Sequence, residues 1–197
     1  MSLITGVLPM PARLFFLAAV MILLGPAWSL AQAPAAAERE AMKKLDFLVG
    51  EWKGEGWMEF APGQRRTCRG TEVVQSKLGG QLLTIEGLFR GQTGEAIVHN
   101  AFAVVSYDEN AKRYRFQAHT ARGGHEDAEA KVADGQLVWG MKVPQFGDVR
   151  YTIERDGKGR WFEVGEVSRD GKDWRKFFEM TLEPVKPVPP AEAAKPD

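Results

Sequence analysis

Only one cysteine, Cys68, occurs in the 197 residues. An exported chain of this composition has no internal disulfide and must be held together by its core. A catalytic thiol would need a base beside it, and the sequence shows none, so a buried, inert Cys68 is the expectation. Neither sign of charge is in excess, with 26 basic and 26 acidic residues, and there is no basic surplus to meet nucleic acid. The apolar run Leu14 to Leu24 is eleven residues long, too short to cross a bilayer, which takes about 20. Catalytic signatures are missing as well: there is no G-x-S-x-G elbow, H-E-x-x-H helix, phosphate loop or dinucleotide fingerprint.

What is present begins with an address. Arg13 is the only charge among the first 37 residues and precedes the apolar run, which Gly25 and Pro26 break. These are the parts of a secretory signal. Ser29-Leu30-Ala31 and Ala31-Gln32-Ala33 both offer small residues at the cleavage positions, and a cut after Ala31 is favoured because Pro34 would follow the other. A retained anchor is the alternative reading. Residues 1–31 are thus expected to be a signal peptide, 32–41 an Ala-rich linker, 42–184 a β-barrel, and 185–197 a disordered tail rich in Pro and Ala. Loss of residues 1–31 removes Arg13 and no acid, leaving 25 basic against 26 acidic residues, a net charge of about −1. The expected product is periplasmic or secreted and free of the membrane. No feature fixes an oligomeric state.

Apolar residues at 42, 45 and 48 or 49, followed by Gly50, predict a short helix over 39–48 that plugs or covers one barrel opening. From Trp52 onward the period is two. Turn signals every ten to fourteen residues divide the chain into ten strands, at 50–60, 65–77, 81–90, 96–107, 112–120, 125–132, 136–143, 149–155, 160–169 and 172–182. Asp134-Gly135, Asp156-Gly157 and Asp170-Gly171 are hairpin markers, since both residue types tolerate positive φ. Ten strands of about ten residues, with nine short connections, need roughly 130 residues, and Gly50 to Glu183 supplies 134. No chain is left for a crossover helix. The fold class is therefore all-β, a ten-stranded antiparallel up-and-down barrel with a short N-terminal helix.

Its opening strand carries the most specific pattern, Gly50-Glu51-Trp52-Lys53-Gly54-Glu55-Gly56. Three glycines in seven residues imply a sharp bend or a close approach of another group. Trp52 would close the floor, removing about 150 to 250 Å² from water and contributing at most roughly 4 to 6 kcal/mol. With Leu45 and Phe47 before it and Tyr107-Asp108 closing the fourth strand, this run resembles the calycin-type barrels. More closely, it resembles bacterial lipocalin-like domains of unknown function and, beside them, nitrobindin-like haem barrels. The resemblance implies a barrel with an internal pocket. It also implies a basic residue of the last strand, Arg175 or Lys176, packed on Trp52 as a cation–π pair. Haem-binding members hold iron through a histidine on a late strand, whereas this chain has histidines only at 99, 119 and 125. Haem is accordingly disfavoured, and no cofactor is expected.

Leu83, Ile85, Phe89, Phe102, Val104, Tyr114, Phe116, Leu137, Trp139 and Met141 form the expected lining, either of a pocket or of a packed core. Candidate ligand contacts are Glu86, His99, Arg115, His119 and Glu163, with Trp139 from the lining. Arg115 near Glu86 or Glu163 would anchor a ligand head group. Strand alternation puts Glu86, His99, Arg115 and His119 on the opposite face from that lining unless a bulge intervenes. His119, His125, Glu126 and Asp127 flank a Gly-Gly turn, and their spacing matches neither zinc nor calcium sites. The expected function is non-catalytic binding of a small hydrophobic or amphipathic molecule. The alternatives are a haem or metal binder, a filled structural barrel, or an enzyme with His99 or Glu86 as base, the last on fold analogy alone.

Overall fold

A computed structural model of the chain describes residues 28–59, 61, 63–94 and 96–185, with side chains from residue 36 onward. The expected signal run before Trp28 and the tail from residue 186 lie outside the described residues. Among the described residues, no helix is long and apolar enough to cross a membrane.

Ten strands follow the N-terminal helix: β1 Gly50–Glu59, β2 Arg65–Lys77, β3 Leu82–Gly91, β4 Ile97–Asp108, β5 Arg113–Thr120, β6 His125–Ala133, β7 Gln136–Val143, β8 Gly147–Arg155, β9 Trp161–Ser168 and β10 Arg175–Pro184. Each pairs antiparallel with its neighbour in sequence, and β1 pairs with β10 to close the barrel. Closure gives every strand two partners, so no sheet edge is left open. The turns follow from local chemistry. Asp134 and Gly135 take φ of 52° and 75° and join β6 to β7 as a two-residue turn. The other Asp-Gly pairs sit in wider loops, where Asp156 Oδ1 accepts from the Lys158 and Arg160 amides and Asp170 Oδ1 accepts from those of Lys172 and Asp173.

The N-terminal segment departs from expectation. α1 spans Trp28–Lys43, so the stretch expected to be a linker is helical, and a 3-10 turn, η1 at Asp46–Leu48, follows it. The alanines that suggested a linker are also the strongest helix formers. The helix expected over 39–48 is therefore two pieces, separated by a turn at Lys44 and Leu45.

Together these pieces stopper the barrel. Met42, Leu45 and Leu48 are at most 2% exposed and share a core with Trp52, Val74, Leu83, Val105, Leu137, Ile153, Trp161 and Leu182. The Tyr114 hydroxyl donates to the Ala41 carbonyl at 2.8 Å, and the Trp52 indole Nε1 donates to that of Leu48 at 2.8 Å, so these two donors are satisfied by the N-terminal segment. Gly54 has to be a glycine, because a Cβ there would lie 2.2 Å from the Thr181 carbonyl oxygen across the β1–β10 pair.

The basic partner of Trp52 is Arg155 at the end of β8, with its guanidinium carbon 5.2 Å from the ring centroid. Neither Arg175 nor Lys176 fills that role. Trp52 pairs with Pro184 and Arg175 with Val167. At about 3.3 Å per residue, nine residues of β10 place Arg175 roughly 30 Å along the strand, at the other end of the barrel.

Candidate functional site

Residues opposite one another in register share a face, so buried Trp52 defines the inside strand by strand. Through Glu72, Gly87 and Ala101 the register carries that face onto β4 as His99, Ala101, Ala103 and Val105. It continues as Tyr114, Phe116 and Ala118 on β5, Ala128 and Ala130 on β6, and Leu137, Trp139 and Met141 on β7. Val149, Tyr151 and Ile153 on β8 and Trp161, Glu163 and Gly165 on β9 complete the wall with Phe178, Met180 and Leu182 on β10.

Phe102 and Val104 therefore face outward, contrary to expectation, and Phe102 is 39% exposed. β4 is apolar on both faces, so alternation alone could not choose between them. The choice is made by pairing with β3, which sets Phe89 opposite His99 and Glu86 opposite Phe102.

The six proposed contacts divide evenly. His99, Trp139 and Glu163 point inward. Glu86 is exposed on the outer face, paired with outward Phe102. Arg115 is also outside, ion-paired with Asp127 on β6 rather than with Glu86 or Glu163. His119 is exposed outside, its ring near that of His125 with centroids 6.4 Å apart. His99 stands in edge contact with Phe89, 6.1 Å between centroids, and is still exposed to solvent; partial desolvation, then the Arg122 charge, lowers its pKa.

Inside, aromatic rings form a ladder. Phe116 stacks on Trp139 at 4.2 Å between centroids, Trp139 on Tyr151 at 4.7 Å, and Tyr151 meets Phe177 and Phe178 edge-on near 6 Å. Trp139, Met141, Tyr151 and Phe178 are only partly buried. Since their side chains point inward, the surface they keep faces the lumen. At the floor, by contrast, Leu45, Leu48, Leu137 and Leu182 expose nothing. The barrel is sealed at one end and accessible from the other. The inward positions of β4 to β6 are small, Ala101, Ala103, Ala118, Ala128 and Ala130; Ala128 and Ala130, on the strand between Phe116 and Trp139, let the two rings stack across β6.

Two carboxyl groups lie deeper. Glu163 is 8% exposed and accepts a hydrogen bond from Trp161 Nε1 at 3.2 Å; burial raises its pKa to about 7. Glu72 is 6% exposed, and its Oε2 is buried without a hydrogen-bond partner. Burial, and secondarily the Glu163 charge, raise the Glu72 pKa well above the usual carboxylate range. Tyr151 is raised too, by burial and then by Glu163. Trp139 Nε1 is a second buried polar atom without a partner. Gly87 makes room for Glu72, since a Cβ there would stand 2.6 Å from its Oε1.

Sequence reasoning missed Glu72 and Tyr151, although each alternates in step with inward neighbours, Val74 for the former and Ile153 for the latter. Grooves of about 360 Å³ beside α1, lined by Arg39, Lys43 and Gly80, and of about 450 Å³ at the β7–β8 turn, lined by Gln145 and Phe146, lie outside the ladder and touch neither glutamate. Haem ligation from a late strand does not fit, because β7 to β10 contain no histidine. Among the described residues, no three His, Cys, Asp or Glu side chains converge as a metal site.

No family model matches this chain, and no curated protein does either. What it shares with known proteins is a fold. The chain is similar to Rv2717c from M. tuberculosis, solved by crystallography, with a TM-score of 0.55 at 12% identity over 74% of this chain and 98% of that one. At that identity the likeness extends to the barrel and not to the residues inside it.

Proposed function

We propose that this chain is an exported, non-catalytic binding protein that holds a small amphipathic molecule in the barrel lumen. One observation carries the reading: a stack of inward-facing aromatic rings, reachable from the open end, leads to buried polar atoms that no protein group satisfies. A core built only for stability would pair the Glu72 oxygen and the Trp139 N–H or replace them with apolar groups, because an unsatisfied buried polar atom costs about 1 to 3 kcal/mol. A ligand supplying an acceptor to the indole and a donor to the carboxyl removes that cost. Export is supported by Arg13, the apolar run to Leu24 and the small residues ending at Ala31. Kinship with the calycin-type barrels is supported by the Gly50 to Gly56 motif opening β1 and by the unbroken neighbour-to-neighbour strand order.

Native mass spectrometry of the protein taken from its own host under non-denaturing conditions tests the reading. A bound small molecule, lost when Ala118→Trp puts a large ring into the lumen beside Phe116, is the expected result. An apo mass in every preparation, together with no uptake of hydrophobic probes by the purified protein, would refute it.

A further inference from the structure

Among the described residues, the lumen holds the carboxyl groups of Glu72 and Glu163 and no cation to meet them. Glu72 on β2 and Glu163 on β9 both point inward, with β1 and β10 between them in the wall; the inward positions there are the glycines Gly54 and Gly56 on β1 and the buried Met180 and Leu182 on β10. Glu163 acts electrostatically on Glu72, and no basic group among the described residues acts on either. Arg155 reaches only the Trp52 ring at the floor. Glu163 accepts one hydrogen bond, Glu72 Oε2 accepts none, and Gly87 keeps the place where the Glu72 carboxyl lies free of a side chain.

Two like charges buried together are unfavourable, and apolar residues of the same size would serve the fold better. The arrangement becomes favourable when something positive sits between them. Aromatic faces beside the pair add to that preference, because ring quadrupoles attract cations and repel anions, with tryptophan the strongest. Tyr151 feels the Glu163 charge and stacks on Trp139, which stacks on Phe116. A metal ion is a poor match: calcium takes six to eight oxygen ligands and zinc four tightly placed ones, whereas this cluster offers two carboxyls. An ammonium group has donors for the Glu72 and Glu163 oxygens, and its single charge balances the pair when one of the two carboxyls keeps its proton.

We propose that the lumen receives the ammonium group of an organic amine between Glu72 and Glu163, with the apolar part of the amine lying along Phe116, Trp139 and Tyr151. This assignment rests on the reading of the lumen as a binding site. It names the polar end of the ligand and excludes fatty acids and other carboxylates as preferred occupants.

Isothermal titration of the full chain at pH 8 with three probes of nearly equal size, phenethylammonium, 2-phenylethanol and phenylacetate, tests it. The ammonium probe binds at least about tenfold more tightly than the alcohol, as charge-assisted hydrogen bonds exceed neutral ones, and phenylacetate binds most weakly. Glu72→Gln and Glu163→Gln each reduce the preference for the ammonium over the alcohol, with near-UV circular dichroism confirming the fold; either variant suffices if the other does not fold. Equal affinity for ammonium and alcohol, or an ammonium preference that survives in the variants, overturns the amine assignment while the lumen site stands. No heat with any probe overturns the lumen reading and this assignment with it.

Discussion

Glu163 gives the barrel a pH dependence of unusual sign. Its carboxyl has a pKa of about 7 in the folded protein, against an ordinary value of 4.5, because burial disfavours the charged form. Between those values the folded state binds more protons than the unfolded state, so stability falls as pH rises. The favourable contribution is complete below pH 4.5 and is lost as pH passes through about 7. At about 1.36 kcal/mol per pKa unit, a rise of some 2.5 units costs roughly 3 kcal/mol by pH 8. For a domain of this size that is on the order of 6 to 12 °C in melting temperature. Glu72 is shifted in the same direction and adds to the effect. Glu163→Gln removes the titration and keeps an oxygen for the Trp161 indole, so the variant should melt well above the parent at pH 8 and close to it at pH 5. Thermal melts by circular dichroism at half-unit steps from pH 5 to 8, without ligand, read this out. The window avoids the exposed Asp156, whose pKa of about 2, lowered chiefly by its hydrogen bond with Arg160, affects stability only in stronger acid. His99, its pKa lowered, gains stability with rising pH over the same window, so the difference between variant and parent is the readout, and a variant that follows the parent throughout would refute the reasoning.

Three further substitutions probe the frame around the site. Trp52→Ala removes a fully buried ring and the donor to the Leu48 carbonyl, and should cost about 3 to 5 kcal/mol in urea unfolding. Arg155→Met should cost about 0.5 to 1 kcal/mol through the lost contact with Trp52, while Arg175→Met changes nothing measurable. Gly87→Ala crowds the Glu72 carboxyl and should cost about 1 to 2 kcal/mol; adding Glu72→Ala should recover part of that, a coupling that a double-mutant cycle detects.

The barrel was legible because its grammar is local. Turn residues and alternation are written into adjacent positions, and a meander asks only that each strand find the next. Even the order of pairing follows, since no segment is long enough to cross over. The N-terminal segment misled because Ala-rich composition suits both a linker and a helix. Arg155 could not be identified as the Trp52 partner without knowing how far each strand runs past its neighbours, which is a property of the closed wall and not of any one strand. The interior was half legible for the same reason. On β5 alternation alone separates inward Phe116 from outward Arg115, but β4 has apolar residues on both faces, and only the pairing of Phe89 with His99 resolves them. Glu72 lay within a strand that reads as largely polar, Arg65 to Lys77, where one more acid attracts no notice. Its significance comes from Glu163, 91 residues away in sequence and close in the folded wall.

The claim on which the account turns is that small molecules are taken up inside the barrel and not in its outer grooves. Nuclear Overhauser contacts between phenethylammonium and isotope-labelled protein locate the probe directly. Contacts to the ring protons of Trp139 and Tyr151 and to the Ala118 methyl are expected. Contacts confined to Met42 and Arg39 beside the helix, or to Phe146 at the β7–β8 turn, would contradict it.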